Sequence, residues 1–134
     1  MEDKIIKFFE GDKFAAYNGI KLIKVKPGYS LARMEITANH LNGVNIVQGG
    51  ALFTLGDLAA AAAANAHGRV AVAISANILF IKPSKGKVLF AEAKEISASK
   101  KIANYQVDIY DDKQEDIAKL TVILYKRDEK IIFE

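Results

Sequence analysis

The chain has 134 residues, about half of them apolar, and a formal net charge of +3; that is one domain's length with enough apolar surface for a packed core, which excludes a disordered chain. Acidic and basic residues are interspersed, which argues against a nucleic-acid stripe or a membrane patch and still leaves room for a ligand carrying phosphates. There is no cysteine, so disulfides, thiolate metal sites and a cysteine nucleophile are excluded. The opening MEDKIIKFFEGDK is charged throughout, so no signal peptide is expected and the reading is cytoplasmic. Ile5, Ile6, Phe8, Phe9, Phe14 and Tyr17 suit one or two short amphipathic helices broken near Gly11.

GIKLIKVKPG alternates Ile20 and Leu22, slips, then continues with Ile23 and Val25; Pro27-Gly28 signals a turn. YSLARMEI alternates Leu31, Arg33 and Glu35 against Ala32, Met34 and Ile36, so the pair predicts a β-hairpin. TANHLNGVNIVQGG has no period and reads as a loop, with His40 a loop residue without catalytic work. From Ala51 to about Ala66 runs an alanine-rich helix, ~24 Å long, stopped at Ala66-His67-Gly68. His67 is then a favourable cation near the helix C-terminus. The stretch is interrupted by Asp57 and falls short of the ~18–20 residues a membrane span needs.

The remainder predicts strands. RVAVAISANILFI runs up to Lys82-Pro83. GKVLFAEAKEIS alternates with Val88, Phe90 and Ala91/Ala93; IANYQVDIYDD does so with Ile102, Tyr105, Val107 and Ile109. IAKLTVILYKR presents Leu120, Val122 and Leu124 to one side. Strands segregated from one central helix predict a single α+β domain over residues 1–134, an antiparallel sheet wrapped on the helix. A helix apolar all round is a buried one, and alanine on nearly every face means that the sheet comes too close for larger side chains.

Asp57 is the anomaly in that helix. Burying an unpaired carboxylate costs several kcal/mol or forces neutralisation. Asp57 therefore needs a partner or a water-accessible cleft, and a bond to a neighbouring loop would serve as well as a catalytic role. Gly49 and Gly50 stand just before the helix, at an N-terminus where unpaired N–H groups and a partial positive charge can receive an oxygen; a turn needing glycine torsions is the plainer account. Asn42 precedes Gly43 and suits a turn. Thr54 lies one helical turn before Asp57, and its hydroxyl can instead bond a backbone carbonyl within the helix. Two histidines without an HxxxH spacing point to no metal site.

Asn42, Gln48-Gly49-Gly50, Phe53-x-Leu55-x-Asp57, the alanine run and NILFIKPSKG together resemble the hotdog-fold acyl-CoA thioesterases of the phenylacetate-degradation (PaaI-like) branch, over residues from about 15 to 126. The resemblance implies a hotdog fold and hydrolysis of a small aryl- or acyl-CoA thioester to acid and free thiol. Coenzyme A enters as part of the substrate, with no metal or other cofactor. By the same resemblance Gly49 and Gly50 form an oxyanion hole, and Asp57 acts as general base toward water or as a nucleophile. Asn42 orients the thioester or the water. Gln48 stands where the family has His; it can donate a hydrogen bond to a carbonyl but cannot shuttle protons. Ala73 matches a position where some relatives carry Ser, with Ser75 two residues on. Thr54, Ser75, Asn77, Lys82, Lys85 and Arg69 are the implied substrate-binding residues, the basic ones toward the coenzyme A phosphates. The implied assembly is a homodimer that joins two sheets and shares its sites, Gly49/Gly50 from one chain and Asp57 from the other, pairing again to a homotetramer. A hotdog acyl-CoA-binding protein with weak or lost catalysis is the alternative, motivated by Gln48. A hotdog dehydratase would need a histidine that this stretch lacks.

Overall fold

A computed structural model describes all 134 residues, Met1–Glu134. Two short helices, α1 (Glu2–Phe9) and α2 (Lys13–Tyr17), lead into the hairpin β1 (Ile20–Lys26) and β2 (Tyr29–Glu35). A 3-10 turn (Ala38–His40) precedes the central helix α3 (Gly49–Asn65). Strands β3 (Arg69–Phe80), β4 (Val88–Ala98), β5 (Ile102–Asp111) and β6 (Asp116–Lys130) follow. The six strands form one antiparallel sheet in the order β1-β2-β4-β5-β6-β3. No helix is long and apolar enough to cross a membrane.

The sheet curves around α3. Leu52, Leu55, Leu58, Ala59, Ala60, Ala62, Ala63 and Ala64 are all buried. All but Ala62 meet Ala32 and Met34 of β2, Leu89, Ala91 and Ala93 of β4, Val107 and Ile109 of β5, and Leu120, Val122 and Leu124 of β6 in one core, while Ala62 packs with Ile5, Val25 and Ala66 in a smaller cluster. Small residues occur on both partners where helix and sheet approach most closely. A Cβ on Gly56 would stand 2.7 Å from Leu120 Cδ1. Two polar bolts join the layers: Ser30 Oγ donates to the Ala59 carbonyl at 2.6 Å, and Asn65 pairs with both backbone groups of Ala71.

Two strands face differently from their expected alternation. In β4 the inward residues are Leu89, Ala91 and Ala93, while Val88 and Phe90 lie on the outer face. In β5 the inward set begins at Ala103 rather than Ile102. The outer face itself carries apolar groups, including a Phe90–Tyr110 stack with centroids 5.5 Å apart. Apolar side chains on both faces blur the period-2 signal.

The segment before α3 is more ordered than a plain loop. His40 is buried: its Nδ1 accepts from the Thr37 N–H at 3.0 Å, its Nε2 donates to the Asn18 carbonyl at 2.8 Å, and its own carbonyl accepts from the Gln48 N–H at 2.8 Å. That is the neutral Nε2–H tautomer, and it ties the end of α2 to the start of α3.

At the other edge of the sheet, β3 pairs only with β6. Val72, Ile74, Leu79 and Phe80 are all exposed there, an apolar strand with one free ladder of N–H and C=O groups.

Candidate active site

Gln48 is the N-cap of α3, and its Oε1 accepts from the Gly50 N–H. The side chain expected to lie beside a substrate carbonyl thus occupies one of the amides expected to bind it. The Gly49 N–H has no acceptor within the chain, so it remains free at the positive end of the helix. A Cβ on Gly49 would sit 2.9 Å from Phe80 Cζ, so a side chain there would have to push the exposed Phe80 ring aside. The carboxamide of Gln48 keeps its Nε2 hydrogens for a ligand, polarised by the bond its oxygen already accepts.

Beyond the first turn of α3, burial is interrupted on one stripe only. Gly50, Phe53, Thr54, Asp57 and Ala61 are exposed or half-buried, at the i, i+3, i+4, i+7, i+11 spacing of one helical face. Asp57 is half-buried and makes no hydrogen bond or ion pair within the chain. Burial, and then the neighbouring Asp12 carboxylate, push its pKa above the ordinary carboxylate value. Asp12 caps α2, accepting from the Ala15 N–H at 3.0 Å. An Asp before a short apolar helix is legible as a cap; its approach to Asp57 depends on how α2 packs on α3. Thr54 Oγ1 donates to the Gly50 carbonyl at 2.8 Å, the bond within the helix.

Two clefts flank the start of α3. One, of about 220 Å³, is mostly polar and is lined by Phe14, Asn18, Asn39, Gln48, Gly50 and Thr54 among others. The other, of about 380 Å³, is lined by Ile46, Val47, Leu52, Phe80 and Ile81, with Asn42 and Lys82 among its polar residues. Asn42 Oδ1 accepts from the N–H groups of Val44 (2.9 Å) and Ile46 (3.2 Å), and the Asn42 N–H donates to the Ile46 carbonyl. Asn42 therefore builds its own loop, and its Nδ2 hydrogens are left for a ligand.

The other sequence candidates are dispersed. In β3, Ala76, Ile78 and Phe80 pair with inward residues of β6, whereas Ser75 and Asn77 pair with Ile123 and Thr121. Ser75 and Asn77 therefore lie on the outer face of the sheet, away from α3. Lys82 Nζ is bound to Glu115 at 2.6 Å. Lys85 is exposed and unpaired. The Arg69 guanidinium donates to the carbonyls of Arg127, Lys100 and Lys126, beyond the opposite end of α3. His67 lies there too, 3.1 Å from Glu95 Oε1, which also accepts from the buried Tyr105 hydroxyl. No three His, Asp or Glu side chains converge in a way that could hold a metal ion.

One central helix wrapped by a six-stranded antiparallel sheet is the hotdog arrangement. The comparisons agree. The sequence profile of the thioesterase superfamily matches residues 44–118. A putative esterase of Archaeoglobus fulgidus is 34% identical over 122 residues, covering 90% of this chain and 79% of its own. The acyl-coenzyme A thioesterase PaaI of Escherichia coli K12 is 35% identical over 111 residues, covering 82% and 79%. The solved E. coli PaaI protein from the phenylacetic acid degradation operon superposes with a TM-score of 0.90 at 29% identity, over 98% of this chain and 99% of that one. The chain belongs to the thioesterase superfamily, as a PaaI-like hotdog thioester hydrolase.

Proposed function

We propose that the chain hydrolyses an acyl-coenzyme A thioester to a carboxylic acid and free coenzyme A, at a site shared between two copies. The observation that carries this reading is the bare stripe of α3, which runs up to the free Gly49 N–H at the helix start and holds an unpartnered carboxylate. The thioester carbonyl oxygen accepts from the Gly49 N–H, helped by Gln48 Nε2 and Asn42 Nδ2, so the charge of the tetrahedral intermediate develops against fixed donors. Asp57 either takes a proton from the attacking water or attacks the carbonyl itself. Rapid-quench mass spectrometry separates the two: an acyl adduct on Asp57 marks the nucleophile, its absence the base. The reaction needs no metal or redox cofactor.

Spacing supports the sharing. Asp57 lies two turns beyond Gly50, ~10 Å along the axis, while first-turn amides point out of the opposite end. One chain's carboxylate therefore stands too far from a carbonyl held at its own helix N-terminus. The open edge of β3 can pair with β3 of a second copy, continuing the sheet and burying its exposed apolar row. Such dimers can associate into tetramers. A monomer by light scattering would sink the shared site.

Thiol release from a panel of acyl-CoA esters is the direct test, with wild type beside Asp57→Asn. Rates should fall on the acid side as Asp57 protonates, above the usual carboxylate range. Replacing Asp12 by Asn keeps the α2 cap, since Asn caps as well as Asp, and removes the like charge. The acid limb of kcat/KM should then move to lower pH; a limb that stays put removes Asp12 from the electrostatics of the site.

A second reading is an acyl-CoA-binding protein with weak catalysis. Gln48 Oε1 on the Gly50 N–H favours it, because the ligand must share that amide with the chain's own side chain. Gln48→Ala decides. If Gln48 donates, kcat falls tenfold or more, while loss of the cap costs about 1 kcal/mol of stability. A rise in kcat would mean that the carboxamide obstructs the site.

A further inference from the structure

Asp12, Phe14 and Asn18 belong to α2 or its caps, and all three bear on the site. The Asp12 carboxylate acts on Asp57, while Phe14 and Asn18 line the polar cleft together with Gln48, Gly50 and Thr54. Yet α2 is weakly held. Of its five residues only Ala15 is buried, and Phe14 (66%) and Tyr17 (89%) face solvent. Across residues 12–19 a single hydrogen bond reaches past α1 to the rest of the domain: the Asn18 carbonyl accepts from His40 Nε2 at 2.8 Å. We infer that His40 is a positioning residue for the reaction, its buried ring fastening α2 to the loop that leads into α3 and so fixing how near Asp12 stands to Asp57. This rests on the thioesterase reading for the role of Asp57.

The ring is held at both nitrogens. Its Nδ1 accepts from the Thr37 N–H at 3.0 Å, which leaves the proton on Nε2 and aims it at Asn18. The Thr37 side chain closes the other half of that capping box. The His40 carbonyl accepts from the Gln48 N–H at 2.8 Å. One residue thus meets the end of α2 with its ring and the cap of α3 with its main chain. Replacing the ring can release α2 while the second link persists. The titratable groups lining the clefts beside the ring are Tyr17 of α2, Lys21 of β1, and Arg33 and Glu35 of β2; the start of α3 adds only the neutral Gln48, Gly50 and Thr54. All of these are common to the variants compared below, so they do not separate one variant from another.

Asparagine and glutamine each reproduce half of the ring. An Asn carboxamide ends level with Nδ1: it can accept from Thr37 and stops short of Asn18. A Gln carboxamide extends as far as Nε2 and can donate to the Asn18 carbonyl. The readout is the Asp57 side-chain carboxyl carbon, titrated by NMR, which needs no substrate. His40→Asn should move the Asp57 midpoint to lower pH, toward that of Asp12→Asn, because a released α2 takes its like charge away. His40→Gln should keep the wild-type midpoint. Combined with Asp12→Asn, His40→Asn should add no further shift. The acid limb of kcat/KM should follow the same order. A ring that only stabilised the fold would lower Tm and leave the midpoint alone.

An unmoved midpoint in His40→Asn would overturn the assignment. So would an equal shift in His40→Gln, or a full shift that persists in the Asp12→Asn background. Should His40→Asn not fold, the ring nitrogen resonances of the wild-type protein at neutral pH decide: Nε2 should carry the proton and Nδ1 none, and a proton on Nδ1 would overturn the tie to Asn18. If no acyl-CoA ester is hydrolysed, the thioesterase reading fails, and the Asp57 titration still decides what His40 holds.

Discussion

Asp57→Asn should lower kcat for acyl-CoA hydrolysis by about 10²-fold or more, the scale on which a general base contributes, while the protein stays folded and still binds coenzyme A. The same variant should melt at a higher temperature than wild type at neutral pH. Asp57 is half-buried with no donor in the chain, and its folded pKa is raised, first by burial and then by Asp12. A carboxyl with a raised folded pKa contributes its full stability below the unfolded pKa and loses it as pH rises through the folded value. Asn has the same shape and does not ionise, so it avoids that loss. The Tm difference between variant and wild type should therefore shrink as pH falls through the acid range. Stability gained while activity is lost would mark a carboxylate kept for chemistry. Near-wild-type hydrolysis would remove Asp57 from the mechanism, and a lower Tm at neutral pH would reveal a structural partner for its charge.

Gly56→Val should have the largest effect on stability. The Gly56 position is fully covered, and an added Cβ would meet Leu120 at 2.7 and 2.9 Å. Leu120 is itself completely buried, so it cannot swing aside without displacing the alanines and valines around it. Overpacking of this kind costs about 1–3 kcal/mol and sometimes more, and a β-branched residue sits at the upper end. A fall in Tm of about 5–10 °C is expected for a domain of this size. Leu120→Ala in the same chain should restore part of the loss, because the two side chains compete for one space and their effects are not additive. A Gly56→Val protein with unchanged Tm would mean that helix and sheet pack less tightly than this.

Some elements were legible because their signals are local. The β1–β2 hairpin followed from alternation around Pro27-Gly28, and the central helix from its alanine run. Its start lay two residues earlier than periodicity suggested, since Gln48 reaches back as a cap and draws Gly49 and Gly50 into the first turn. Leu120, Val122 and Leu124 share a face as expected, whereas Val88, Phe90 and Ile102 turned outward. Of the site candidates, Asn42, Gln48, Gly49, Gly50 and Thr54 gather around the start of α3, with Asp57 two turns along it. Asn42 and Thr54 also make the local bonds that their residue types favour. The placement of Ser75 and Asn77 depended on strand parity after a bulge, which residue types do not report.

What the sequence determined by itself was the class of fold and the oddity at its centre: one helix too small-sided to be anything but wrapped, with one carboxylate that burial alone cannot accommodate. Those follow from composition and period, which act over a few residues. The tertiary structure decided the rest. It showed that Asp57 lies on a bare stripe of α3, that Asp12 comes near it, that Gln48 already holds one amide and leaves Gly49 free, and that Phe80 crowds Gly49 beside an apolar cleft. Each of these joins residues far apart in the chain or depends on which donor a side chain finds first. Contacts of that kind are selected by packing across the whole domain, and no local pattern encodes them.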